Sequence, residues 1–275
     1  MKKSPANILQ TKSKAVRVIF FISYVLFVYL LILYTIQDDL FFYPDEKYIS
    51  PTELGLTEFK EAPLKARDGT VLTTWYARRN PQKPVLLFFH GNTGQNARFA
   101  APLLPLIQKG YSVMMLEYRG FAKSEGWLSQ EKMYADAAVA YDYLRHQGHA
   151  QVIAMGYSMG CAAAVGLADR RQVNGLILFA PFESMERMVA ELPIPFARYI
   201  LKDRYPSDEY IQGVYVPLLI FHGAQDKLIP YMHSERLYRL AGSKNKRLIL
   251  APNDDHISIF YAGQAISQVA DWLGH

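Results

Sequence analysis

The chain begins with one unbroken apolar stretch and then changes rhythm. From Val18 to Ile36 there are 19 residues without a charge, and as a helix they would span about 28 Å, close to the roughly 30 Å hydrocarbon thickness of a bilayer. A secretory signal has a shorter apolar region and a small-residue cleavage site, whereas this stretch runs into Gln37-Asp38-Asp39-Leu40. An uncleaved anchor is expected at 18–36, with a buried core helix or a cleaved signal as the alternatives. Downstream the apolar positions come in short runs: Val85–Phe89, Ser112–Tyr118, Gln151–Met155, Gly175–Ala180, Pro217–Phe221 and Arg247–Ala251. Such runs suit strands buried on both faces of a parallel sheet. Between them, Gln95–Lys109, Gln130–Gln147, Met159–Arg170, Tyr231–Leu240 and Gly263–Leu273 are predicted as helices.

This alternation predicts an α/β fold, a mostly parallel sheet with helices on both faces, and right-handed crossovers bring every strand's C-terminal end to one rim. Ahead of it, Thr57–Ala66 and Val71–Arg78 flank Asp68-Gly69, a turn dipeptide that predicts a hairpin. Residues 181–216 interrupt the alternation, with Pro181, Pro193, Pro195 and Pro206 among Met185, Met188, Leu192, Ile194, Phe196, Tyr199, Ile200 and Leu201. A small cap over the rim is expected there, a tightly packed crossover being the alternative. The organisation is then a basic flank at 1–17, an anchor at 18–36, a linker at 37–56 and a folded domain at 57–275.

Net charge changes the picture only at the flank. The formal charge is +5, yet Lys2, Lys3, Lys12, Lys14 and Arg17 precede residue 37 with no acid among them. Beyond that point basic and acidic residues balance, so there is no general basic surface and nucleic acid is not an expected partner. The flank sets orientation instead: five basic residues before the stretch, against Lys47 alone in the twenty after it, put the N-terminus in the cytoplasm and the folded domain on the non-cytoplasmic face, in a periplasm or an organelle lumen. Tyr34, Phe41, Phe42 and Tyr43 would lie near the interface. The lone cysteine, Cys161, excludes an intrachain disulfide and is expected as a packed small residue. No Cys/His metal pattern is present, and His146 and His149 at a helix end are expected to be solvated.

The candidate chemistry lies at the rim. Gly156-Tyr157-Ser158-Met159-Gly160 joins an apolar run to the small-residue run Cys161-Ala162-Ala163-Ala164-Val165, so a strand turns sharply into a helix with a serine at its tip, the layout of a nucleophile elbow. A serine nucleophile needs a base to take its proton and a carboxylate to fix the base's tautomer. After Pro217–Phe221 comes His222-Gly223-Ala224-Gln225-Asp226, and after Arg247–Ala251 comes Pro252-Asn253-Asp254-Asp255-His256. Asp226 is the candidate acid and His256 the candidate base. Asp254 and Asp255 stand too close to His256 in sequence to reach round its ring. His222 is expected to pack at its strand end, His233 lies in a helix and His275 is terminal. Arg119 and Ser124 are expected to hold a turn.

From about residue 57 onward the chain resembles the alpha/beta-hydrolase superfamily: Gly156–Gly160 match its elbow, His222–Asp226 its acid loop, His256 its histidine loop. The anchor, His90-Gly91-Asn92-Thr93-Gly94 and Tyr118-Arg119-Gly120-Phe121-Ala122-Lys123-Ser124 further resemble membrane-anchored bud-emergence-type hydrolases and protein depalmitoylases, though Ala122 stands where relatives often carry glycine. The resemblance implies an alpha/beta-hydrolase fold with an oxyanion hole made by the backbone N–H groups of Met159 and Asn92. The expected activity is hydrolysis of small-molecule or lipid-like acyl esters or thioesters through an acyl-enzyme, without metal or organic cofactor, at the membrane that holds the anchor. A peptidase or amidase, and a silent anchored binding module, are the competing functions.

Overall fold

The computed structural model describes residues 5–274, without the side chains of residues 5–13 and 15. Residues 1–4 of the basic flank expected at 1–17, with Lys2 and Lys3, and the terminal His275 therefore lie outside the described residues. Helix α1 spans Pro5–Phe41. Eight strands follow in one sheet: β1 (Lys60–Glu61), β2 (Thr74–Ala77), β3 (Val85–Phe89), β4 (Ser112–Leu116), β5 (Val152–Tyr157), β6 (Gly175–Phe179), β7 (Leu218–Gly223) and β8 (Lys246–Ala251). Their order is β8-β7-β6-β5-β3-β4-β2-β1. The six strands β3 to β8 are mutually parallel, and β2 and β1 extend the sheet antiparallel.

Strands β3 to β7 are buried along their whole length, because helices cover both faces. Alternate residues sort to the two sides. Leu87, Phe89, Met114 and Leu116 pack with α3 (Gln130–His146) and α4 (Met159–Arg170). Leu86, Phe88, Val113 and Met115 pack with α2 (Asn96–Gln108) and the C-terminal helix Gln264–Leu273. Edge strand β8 is half exposed and starts on Lys246-Arg247, charges that discourage further pairing. Phe89 stands opposite Gly156, Tyr157 opposite Phe179, and Phe179 opposite Phe221, so the strands end together and their following loops share one rim.

The expected hairpin around Asp68-Gly69 forms, with Leu64 opposite Leu72 and Gly69 at φ +91°. His149 departs from expectation: it is buried, its Nε2 2.5 Å from the Tyr76 hydroxyl. The cause is the end of α3. Gly148 N–H donates to Arg145 O and His149 N–H to Leu144 O, with Gly148 at φ +88°, a Schellman motif that turns the following side chain back onto the fold.

Residues 181–216 divide into two stretches. Helix α5 (Met185–Ala190) and a 3-10 turn at Ala197–Tyr199 stand out from the sheet, exposing Leu192, Ile194, Phe196 and Tyr199. From Tyr205 to Val216 the chain is an ordinary crossover, with Tyr205, Ile211 and Val214 buried. Residues 37–56 are likewise less free than a linker: α1 continues to Phe41, and Tyr43-Pro44 pair in parallel with Thr93-Gly94. Gln95 then holds the next stretch, accepting from Ile49 N–H and donating to Lys47 O.

Candidate active site

Ser158 sits between β5 and α4 at φ +54°, ψ −120°, a sparsely populated conformation for a residue with a Cβ. Close packing maintains it. Ser158 N–H donates to Phe179 O at 2.8 Å, and a Cβ on Gly160 would run into the backbone of Phe89 and His90, as one on Gly156 would run into Gly160 and Cys161. Both glycines of the pentapeptide are thus required sterically.

Asp226 and His256 arrive from the loops after β7 and β8, beyond β6 along the same rim. His256 Nε2 is 3.0 Å from Ser158 Oγ, and His256 Nδ1 is 2.7 Å from Asp226 Oδ2. With Nδ1–H donating to the carboxylate, Nε2 presents its lone pair to the serine hydroxyl. Asp226 Oδ1 accepts from Leu228 N–H at 2.9 Å and Ile229 N–H at 2.8 Å. Burial works against ionisation of Asp226, but hydrogen bonds from His222 and His256 outweigh it and hold the carboxyl well below the usual carboxylate range. The rival acids are turn formers: Asp255 Oδ1 accepts from Ile257 and Ser258 N–H, and Asp254 accepts from the Ser258 hydroxyl. Cys161, three residues on from the serine, is buried with Sγ 3.2 Å from Phe179 O, and burial pushes its thiol far up.

The loop after β3 passes directly over the serine, since a Cβ on Gly91 would lie 3.6 Å from Ser158 Cβ. Among the described residues, neither Asn92 N–H nor Met159 N–H has a protein acceptor. The Asn92 side chain is engaged elsewhere, its Nδ2 donating to Phe41 O at 2.6 Å. His90, fully buried, fixes this loop from below: its Nε2 is 3.1 Å from Glu117 Oε2, while Glu117 Oε1 accepts from Asn96 N–H.

Four supporting roles were not singled out from sequence. His222 does pack at its strand end, but it also buttresses the acid, lying 3.2 Å from Asp226 Oδ2 while its Nδ1 meets Ser234 Oγ at 2.6 Å. The Tyr157 hydroxyl donates to His256 O at 3.0 Å, and the His90–Glu117 pair spans the ends of β3 and β4. The only available signal was position, each residue lying at or just beyond a strand's C-terminal end. Arg119 and Ser124 hold their turn as expected, Arg119 between Asp136 and Asp68, Ser124 on Thr73 N–H and Glu117 O. Ala122 adopts φ +50°, so it takes up the glycine conformation despite its Cβ.

Comparison with known proteins agrees with this architecture. The family profile described as serine aminopeptidase, S33, matches residues 80–212. The protein YfhR of Salmonella typhi is 32% identical over 262 residues, covering 87% of this chain and 88% of its own. The chain belongs to the alpha/beta-hydrolase family. The protein bem46 of Schizosaccharomyces pombe is 26% identical over 246 residues, covering 83% of this chain and 80% of its own. Among solved structures, the Pyrococcus furiosus esterase Pf2001 superposes with a TM-score of 0.68 at 17% identity, over 84% of this chain and 98% of that one. At that identity the likeness concerns the fold.

Proposed function

We propose that this alpha/beta-hydrolase is a membrane-anchored serine esterase or thioesterase, with Ser158 as nucleophile, His256 as base and Asp226 as the acid that orients it. The observation that carries the reading is the continuous relay from Ser158 Oγ to His256 at 3.0 Å and from His256 to Asp226 at 2.7 Å. Ser158 attacks the acyl carbonyl as His256 takes its proton, and the growing oxyanion is met by the N–H groups of Met159 and Asn92. His256 then returns the proton to the leaving alcohol or thiol. Water enters, His256 activates it, and the acid departs. No step calls for a metal or organic cofactor.

The anchor is α1. Its apolar residues from Val18 to Phe27 are exposed, as suits a helix meant for lipid, and Val16–Phe41 is long and apolar enough to cross a bilayer. Residues 18–36 are the span, the N-terminus is cytoplasmic and the hydrolase domain faces the other side. A fluorophosphonate should label the full-length protein on Ser158, and Ser158→Ala should abolish labelling while leaving the circular dichroism unchanged. Labelling that persists in the variant refutes the assignment. A peptidase is the second reading, favoured by the name of the matching family. A panel of ester, thioester and amide substrates with a common acyl group separates the two, amides being expected to be the poorest.

A further inference from the structure

The far end of the anchor is built into the catalytic domain. The Tyr29 hydroxyl donates to Pro195 O, Gln37 donates to Ile200 O and accepts from Lys202 N–H, and Lys202 Nζ lies 2.7 Å from Asp38. These bonds fasten the protruding cap to α1. Between the two lies a cavity of about 240 Å³, lined by Leu33, Leu40 and Phe41 of α1 and by Val189, Leu192 and Ile200 of the cap. Ser158 is not in its wall. Phe41 provides the link, because its carbonyl accepts from the side chain of Asn92, whose own N–H is a proposed oxyanion donor. Met159, beside the serine, belongs to the same buried apolar cluster as Met185 and Val189, against which Leu33, Phe41 and Leu201 also pack.

We propose that this cavity is the acyl-chain subsite, and that its occupant is one hydrocarbon tail of a bilayer acyl-ester lipid, entering sideways from the membrane along α1. The proposal rests on the serine-hydrolase reading and names its substrate class. Three features select this occupant. The cavity's one polar side chain, Gln37, has its amide oxygen bonded to Lys202 N–H and its amide nitrogen to Tyr34 O and Ile200 O, leaving no free group to recognise a polar ligand. The cavity is smaller than the roughly 300–1,000 Å³ typical of whole drug-sized ligands, so it takes a single chain and leaves the rest of the lipid outside. Finally, its α1 wall continues directly from the apolar surface of the span, so a tail moves from bilayer to cavity without crossing water. The anchor is then part of the substrate site as well as a tether.

The test uses full-length protein in phosphatidylcholine vesicles. Each methylene that a cavity buries is worth about a fourfold gain in kcat/KM, so octanoyl esters, with four more methylenes, should exceed butanoyl esters by about two hundredfold in the wild type. Leu33→Trp, which fills the cavity from the anchor side, should reduce that ratio at least tenfold. An unchanged ratio in a folded, fluorophosphonate-reactive variant overturns the proposal while sparing the hydrolase reading; absence of labelling in the wild type is the failure of the hydrolase reading itself. A measurement free of mutation runs alongside: phosphatidylcholine bearing a diazirine at one chain end is photolysed in vesicles with the wild-type protein. Adducts on residues 189–201 support the subsite, and adducts confined to residues 18–27, an exposed part of α1, overturn it, since they report bilayer contact alone. A palmitoyl-thioester peptide turned over faster than the vesicle lipid overturns the lipid as the source of the chain.

Discussion

Replacing Asp226 by asparagine is a sharp test of the triad, because the structure dictates which way the new amide points. Asp226 Oδ1 accepts two backbone N–H groups, from Leu228 and Ile229. An NH₂ at that position would face two donors, so the amide oxygen must stay there and the NH₂ must occupy the place of Oδ2, facing His256 Nδ1 at 2.7 Å. The imidazole can bond to it only by offering the Nδ1 lone pair, which moves the ring proton to Nε2. Nε2 then donates toward Ser158 Oγ and can no longer accept its proton. Shape is preserved and the base is lost. The expected fall in kcat/KM is on the order of 10⁴, or about 5.5 kcal/mol of transition-state stabilisation. Asp255→Asn supplies the control: its Oδ1 accepts two N–H groups in a turn outside the relay, and the loss should stay within about threefold. The assay is ester hydrolysis by detergent-solubilised full-length protein, with circular dichroism and melting temperature as checks on folding. A loss below tenfold for Asp226→Asn, or a larger one for Asp255→Asn, refutes the placement of the acid.

Gly160→Ala should cost more than an ordinary overpacking change of about 1–3 kcal/mol, because its Cβ would meet the backbone of Phe89 and His90 and no side chain there can move aside; soluble yield and melting temperature check this, and a fully stable, reactive variant refutes it. His149 is buried, and desolvation lowers its pKa from the ordinary histidine value, so the unfolded chain takes up a proton near pH 6.5 before the folded one does. The stabilisation is complete above that pH and is lost as pH falls through the folded value; urea titrations between pH 7 and 5 should therefore show a smaller decline for His149→Gln than for the wild type, and equal declines exclude the effect. A reporter fused to the C-terminus should be active only outside the cytoplasm, and cytoplasmic activity reverses the proposed orientation.

The parts legible in the sequence were those fixed by short-range pattern. Val85–Phe89 and Met159–Arg170 form the strand and helix expected of them residue for residue, because a strand buried on both faces needs a continuous apolar run and the elbow sets where its helix begins. Parallel topology then brings Ser158, Asp226 and His256 to one rim, although 98 residues separate the serine from the histidine. Within residues 181–216 burial was not legible for a related reason: Tyr205, Ile211 and Val214 are apolar or aromatic like Leu192, Ile194 and Phe196 before them, and composition alone does not distinguish the buried set from the exposed one.

Contacts between distant segments were not legible. Asn92 belongs to a glycine-bearing loop, and nothing nearby in sequence indicates that its side chain holds the last turn of a helix 51 residues earlier. The same holds for His222, whose Nδ1 meets Ser234 Oγ on the following helix. These contacts share a logic. The backbone of the rim brings Ser158, His256 and Asp226 together, while side chains at neighbouring strand ends hold their surroundings: His222 beside Asp226, Tyr157 on the His256 carbonyl, His90 and Glu117 under the loop that carries Asn92. Phe41 adds α1 to that set: its carbonyl accepts from the Asn92 side chain, which ties the loop over Ser158 to the last turn of α1. It follows that deleting residues 1–41 should both solubilise the domain and weaken its oxyanion site, lowering kcat on even a butanoyl ester. A truncated domain with undiminished kcat would separate the anchor from catalysis.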